Sequence, residues 1–183
     1  MSQPAIEDPF ALLGLPREFR IEPAQVRAAQ RRLGAALHPD RAANPIEAAE
    51  SARRAAAINE ALNALTDPLR RAEALLALED SATSGAGAEA LPPAFLVEIM
   101  ELRESLDDAI AAGDDERIAT LRDAFVARRD ALLESIAQLF DQALGSRGEA
   151  RTGLFTRARS ELSVLRYVVR FLDRVASHGA SKD

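Results

Sequence analysis

The chain of 183 residues carries a net charge of −6 and is 48% hydrophobic, enough for one ordinary domain or two small ones with a core. It contains no cysteine, which excludes disulfides, thiol catalysis and cysteine-ligated zinc or iron–sulfur sites. Alanine and leucine dominate, aromatics make up 4% and β-branched residues are few, so helix is favoured almost everywhere and no sheet is expected. Met1 to Asp8 lacks the features of a signal or transit peptide, and no apolar run approaches membrane-spanning length. A cytoplasmic protein without membrane contact is therefore expected.

Asp8-Pro9 reads as a helix N-cap and first helical residue, with Phe10, Leu12 and Leu13 following and Gly14-Leu15-Pro16 ending a short helix. Glu22-Pro23 opens a second helix running to Leu37, in which Val26, Leu33 and Leu37 share one face. Arg27 and Arg31 fall well away from that face and line up with His38. Pro39 disfavours the helical conformation at His38 and has no N–H to continue the helix, so Asp40 starts a new direction in an exposed, charged turn. Taken alone, His38-Pro39-Asp40 is equally an ordinary helix stop with a capping aspartate and solvated arginines.

Asn44-Pro45 introduces a third helix from about Ile46 to Leu65, with Ala48, Ala52, Ala55, Ile58, Leu62 and Leu65 expected on its buried side. Asp67-Pro68 repeats the cap signature and predicts a separate helix to Leu78, with Leu69, Ala72, Leu75 and Leu76 inward. Residues 79–91, with their serines and glycines, read as a flexible linker. Pro92-Pro93 then opens a helix to about Ala112, and Gly113-Asp114-Asp115 turns the chain. A long helix from about Glu116 to Leu144 is broken over Gly145 to Gly148, and a last helix from about Ala150 to Ser177 precedes a polar tail.

Phe95, Ile99, Leu102, Leu106 and Ile110 form one apolar seam, and Ile118, Leu121, Phe125, Leu132, Ile136 and Leu139 a second. Leu154, Ala158, Leu162, Leu165, Val169 and Leu172 form a third. The expected organisation is all-α, with a helical hairpin domain over 1–78, the linker over 79–91 and a three-helix bundle over 92–178. Residues 1–78 hold ten basic and ten acidic groups and residues 79–183 thirteen and nineteen. That acidic second half argues against nucleic acid as a partner, because phosphate neutralisation needs clustered positive charge.

The helix beginning at Pro93 is apolar on two sides. With its seam facing the bundle, an ideal helical period turns Leu96, Val97 and Met100 outward together with Glu101, Glu104 and Asp108. An outward apolar patch rimmed by carboxylates reads as an interaction surface. The competing reading is that Leu96 and Val97 pack on the linker or on the first domain.

These motifs together carry a resemblance to a known family. His38-Pro39-Asp40, followed by Ala57-Ile58-Asn59-Glu60-Ala61-Leu62 and Leu65-Thr66-Asp67-Pro68, resembles a J-domain, the module that stimulates the ATPase of 70-kDa heat-shock chaperones of the HscA and DnaK type. Pro68-Leu69-Arg70-Arg71-Ala72-Glu73-Ala74-Leu75-Leu76 is closer to the pattern of the HscB-type iron–sulfur co-chaperones, with Ala74 where that pattern has tyrosine. The run from Phe95 to Asp107 resembles the corresponding HscB helix, with Val97 where methionine is common. The absence of cysteine agrees with a bacterial-type member, since animal mitochondrial relatives carry an added cysteine-rich metal segment.

The resemblance implies an N-terminal J-domain and a C-terminal bundle that binds an IscU-type iron–sulfur scaffold protein. It implies chaperone docking through Arg27, Arg31, Arg32 and Arg41 around His38, Pro39 and Asp40. Scaffold docking is implied through Leu96, Val97, Met100, Glu101, Glu104, Asp108 and Phe171, although an aromatic at the spacing of Phe171 equally packs inward. Such an adaptor needs no catalytic group, metal or cofactor of its own. An enzyme is the competing class, but Pro39 holds His38 and Asp40 in a rigid turn, the only other histidine is His178, and no nucleophile elbow, metal box or phosphate loop exists. A J-domain adaptor that delivers a different client is the remaining alternative.

Overall fold

The structure, a computed structural model, describes residues 8–36, 45–79, 91 and 93–180. The described residues form α1 (Pro9–Leu13), α2 (Pro23–Ala36), α3 (Pro45–Thr66), α4 (Pro68–Glu79), α5 (Pro93–Ala112), α6 (Asp115–Gly145) and α7 (Gly148–Ala180), with no strand among them. The fold is all-α, as composition demands. The chain divides into two compact units, Met1–Ser84 and Gly85–Asp183. Leu37, the His38-Pro39-Asp40 turn, Arg41 and nearly all of the expected linker lie outside the described residues.

In the first unit, Asp8 caps α1 as its position before proline predicts. One carboxylate oxygen accepts from the backbone N–H groups of Phe10 (2.9 Å) and Ala11 (3.2 Å), and the other pairs with Arg17 at 2.7 Å. Gly14 ends the helix at φ 62°, the left-handed conformation that glycine adopts without steric cost. The side chains of Phe10 and Leu13 are fully buried, so even this short helix contributes core.

Asp67 caps α4 in the same way, accepting from the N–H of Leu69 at 2.7 Å. Arg71 one turn later is only 8% exposed. Its guanidinium donates to the carbonyl oxygens of Leu65 and Phe19, both at 2.8 Å, and lies over the Phe19 ring. Burial pushes the Arg71 pKa down, partly offset by the nearby Asp67 carboxylate. A buried guanidinium is tolerated because its donors meet backbone carbonyl oxygens. Arg71 thereby ties the end of α3, the start of α4 and the segment after α1 into one cluster.

The α3 expectation needs correction. Ile58, Ala61, Leu62 and Leu65 are buried, but Ala48 and Ala52 are exposed, Ala55 is half-buried and Ile46 stands out in solvent. The reason is length: α3, at 22 residues, spans about 33 Å, and the described helices it packs against, α1, α2 and α4, are each shorter. The burying stripe, Ile58 to Leu65, is confined to the C-terminal half of α3.

The second unit is a three-helix bundle joined by tight turns. Gly113, at φ 66°, and Asp114, whose carboxylate accepts from the N–H of Arg117 at 2.9 Å, turn α5 into α6. Only Ser146 and Arg147 separate α6 from α7, so the expected break over Gly145 to Gly148 shortens to two residues. Phe140 faces Phe155 and Phe125 faces Phe171, so positions on α6 fall as those on α7 rise and the two run antiparallel. Phe95 meets Tyr167 and Asp107 meets Arg174, so α5 and α7 run parallel.

One core cluster of this unit joins Phe95, Ile99, Leu106 and Ala109 of α5 to Ile118 and Phe125 of α6 and to Val168, Phe171 and Val175 of α7. The expected α7 seam holds at Ala158, Leu162 and Leu165, then shifts: Val168, Phe171 and Val175 are buried, while Val169 and Leu172 are half-buried. A straight helix drifts by about 20° per heptad relative to a strict seven-residue repeat. In its last turns α7 also packs against α5 as well as α6, which moves the burying face round the helix.

Candidate docking surfaces

On α2, Val26 and Ala29 are buried while Arg27 and Arg31, one turn apart, are exposed on the other side. The structure separates Arg32 from them. Successive helical residues turn by about 100°, which carries Arg32 off the stripe, and its Nη2 donates to the carbonyl oxygen of Leu13 at 2.7 Å. The same nitrogen lies 3.0 Å from where a side chain on Gly14 would begin. Arg32 therefore holds the C-terminus of α1, a role that nothing in the spacing of the three arginines distinguishes from docking.

The α5 surface is described throughout. Leu96 is 41%, Val97 59% and Met100 64% exposed, against 0% for Leu106 and 5% for Phe95 and Ile99. At about 100° per residue, the mean direction of Leu96, Val97, Met100, Glu101, Glu104 and Asp108 points roughly opposite to the buried stripe. The three carboxylates are all exposed. Leu96, Val97 and Met100 thus form an apolar patch with acidic groups along one side, as the period of the sequence predicts.

Behind the patch, polar pairs fix α5 against its neighbours. Glu98 forms a two-pronged pair with Arg128 of α6, through Nη1 and through Nη2 at 3.1 Å, and the guanidinium also lies over the Phe95 ring, 5.0 Å from its centre. Arg128 holds the Glu98 carboxyl below its ordinary value, a hydrogen-bond effect that outweighs the opposing effect of desolvation. Arg117 reaches Ser105 at 2.9 Å, and Arg174 pairs with Asp107. The helix that bears the patch is thereby anchored on both flanks.

Phe171 does not project beside Leu96, Val97 and Met100. It is 5% exposed and stacked on Phe125 with ring centroids 3.7 Å apart, so of the two orientations open at the level of sequence the inward one is realised. Its burial follows from the rotation of the α7 seam, which brings this position into line with α6.

Comparison with known proteins places the chain in the class of co-chaperones. A relative named co-chaperone protein HscB homolog from Ralstonia nicotianae is 41% identical over 132 residues, covering 67% of this chain and 73% of the relative. One of the same name from Bordetella pertussis is 36% identical over 140 residues, covering 75% and 81%. The chain belongs to the HscB family. The profile of the family's C-terminal domain, described as the HSCB C-terminal oligomerisation domain, matches residues 91–176. Among solved structures, the chaperone HscB from Vibrio cholerae superposes with a TM-score of 0.76 at 27% identity, covering 96% of this chain and 99% of its own. Human co-chaperone protein HscB superposes with a TM-score of 0.78 at 22% identity, covering 96% and 84%, a likeness of fold.

Proposed function

We propose that this co-chaperone couples a 70-kDa heat-shock chaperone of the HscA or DnaK type to an IscU-type iron–sulfur scaffold protein. The first unit docks on the chaperone through the His38-Pro39-Asp40 turn, with Arg27, Arg31 and Arg41 supplying positive charge, and biases it toward ATP hydrolysis. The second unit holds the scaffold on Leu96, Val97 and Met100, with Glu101, Glu104 and Asp108 meeting basic groups of the partner. Coupling requires only that the chaperone bind the adaptor with different affinities in its two nucleotide states, while tethering raises the effective concentration of scaffold beside it. The chain works as an adaptor and performs no chemistry of its own.

The observation that carries the reading is the exposure of Leu96, Val97 and Met100 on the side of α5 remote from its core. Three large apolar side chains together in solvent, bounded by carboxylates, are what a partner-binding surface presents. The test is single-turnover chaperone ATPase with the adaptor alone, with scaffold alone and with both. Stimulation greater with both than with either supports the reading. Asp40→Asn is expected to remove most of the stimulation while leaving helicity and melting unchanged, because its contact would be charge-assisted and made only with the chaperone. An Asp40→Asn variant as stimulating as the native chain would sink the chaperone half of the proposal.

A further inference from the structure

Beside the apolar patch, between α5 and α7, lies an open cleft of about 320 Å³ lined by Ile99, Arg103, Tyr167, Arg170, Phe171 and Arg174. Ile99 and Phe171, each 5% exposed, give it an apolar floor. Arg103 and Arg170 are exposed; the Arg170 guanidinium lies over the Tyr167 ring, 5.7 Å from its centre, and Arg174 is paired with Asp107. Three guanidinium groups against one carboxylate leave the cleft locally positive, in a half of the chain where acidic groups outnumber basic ones by nineteen to thirteen. On α5, Arg103 falls between Ile99 and Met100 in angle at about 100° per residue, so the cleft and the patch form one continuous surface. That surface is basic at the cleft, apolar across Leu96 and Met100, and acidic at Glu101, Glu104 and Asp108.

We infer that the α5–α7 cleft seats a carboxylate-bearing segment of the scaffold that covers the patch, so that docking occurs in a single orientation set by charge. This rests on the scaffold reading above. An apolar patch alone is non-directional and permits a partner to turn on it. Opposite charges at its two ends admit the partner one way round and place like charges together in the reverse orientation. The partner's complementary face then carries an acidic segment, an apolar centre and a basic segment, in that order. A uniform polyanion such as nucleic acid would gain at the cleft and lose at Glu101, Glu104 and Asp108. A second copy of this chain brings its own excess of acidic groups, which opposes its approach.

The test uses the full chain and a purified cluster-free IscU-type scaffold, with affinity measured by calorimetry at low and moderate salt. Arg103→Glu with Arg170→Glu is expected to weaken binding by about tenfold or more and to flatten its salt dependence. Arg103→Gln with Arg170→Gln is expected to give a smaller loss, and it decides the matter if the charge-reversed chain does not fold. Leu96→Ala with Val97→Ala and Met100→Ala is measured beside them. Native affinity in both arginine variants, with binding lost in the patch variant, overturns the cleft proposal and leaves the scaffold reading standing. No binding by the native chain removes both. Sedimentation showing that the native chain self-associates, and that the arginine variants do not, gives the cleft to a second copy and likewise overturns the proposal.

Discussion

Phe171 of α7 stacks on Phe125 of α6 with ring centroids 3.7 Å apart and planes 13° from parallel. Both rings are buried, so their main contribution is to the seam. Truncating a buried phenylalanine costs about 3–5 kcal/mol through lost transfer energy and the cavity left behind. Phe171→Ala is expected to lower the denaturation midpoint by a corresponding amount, whereas Phe171→Leu recovers most of the loss and binds scaffold with near-native affinity. If Phe171→Leu is fully stable and fails to bind, the ring is a docking element despite its burial.

The three arginines of α2 should separate by assay. Arg27→Glu with Arg31→Glu is expected to weaken chaperone binding mainly through the association rate, and native binding should weaken as salt screens these exposed charges. Melting should not move. Arg32→Ala should instead destabilise the first unit by about 1–2 kcal/mol, because the Leu13 carbonyl loses a charged donor. Urea unfolding set beside surface-bound chaperone kinetics measures both, and an Arg32→Ala chain of native stability would contradict the structural role.

The two sides of α5 should respond in opposite ways. Leu96→Ala, Val97→Ala and Met100→Ala together should cost about 2–5 kcal/mol of scaffold affinity, since a few apolar anchors usually carry most of an interface, with little change in melting. Leu106, which is fully buried, should show the reverse, with Leu106→Ala costing about 2–5 kcal/mol of folding free energy. A folded patch variant with native scaffold affinity would remove Leu96, Val97 and Met100 from the interface.

The Glu98–Arg128 pair sets a pH signature. Its folded carboxyl titrates below the ordinary 4.5, so the pair's stabilisation is present above the unfolded value and is lost as pH falls through the lower folded one. The side chains are 45% and 33% exposed, and solvent screening limits the gain to about 0.2–1 kcal/mol. Glu98→Gln should be less stable than the native chain by that amount at pH 7. The two stabilities should converge once pH falls below the lowered value of the folded carboxyl. A gap that persists in acid would assign the effect to packing on Phe95 instead.

Much of this was legible because the signals were local. Asp8 before Pro9, Asp67 before Pro68 and Gly113-Asp114 each specify a helix end through one or two backbone hydrogen bonds, and the exposed face of α5 follows from periodicity alone. What escaped depends on neighbours far along the chain. The burial of Arg71 depends on the carbonyl of Phe19, 52 residues away. The alanines at 48 and 52 look like core until the helices that pack on α3 are placed. Phe171 turns inward because α7 changes packing partners, which no repeat within α7 announces.

The brevity of the Ser146–Arg147 connection bears on how the second unit assembles. Phe140 and Phe155, 15 positions apart, meet near the end of the hairpin that this two-residue connection closes, and once they are in place each further turn of α6 and α7 is added at little cost in chain entropy. α5 joins through an equally tight turn, whereas its contacts with α7, such as Asp107 with Arg174 67 residues away, wait until both turns have closed. Helical topologies dominated by near-neighbour contacts fold in about microseconds to milliseconds. A bundle of this kind is expected to regain its α5 surface on that timescale after dilution from denaturant.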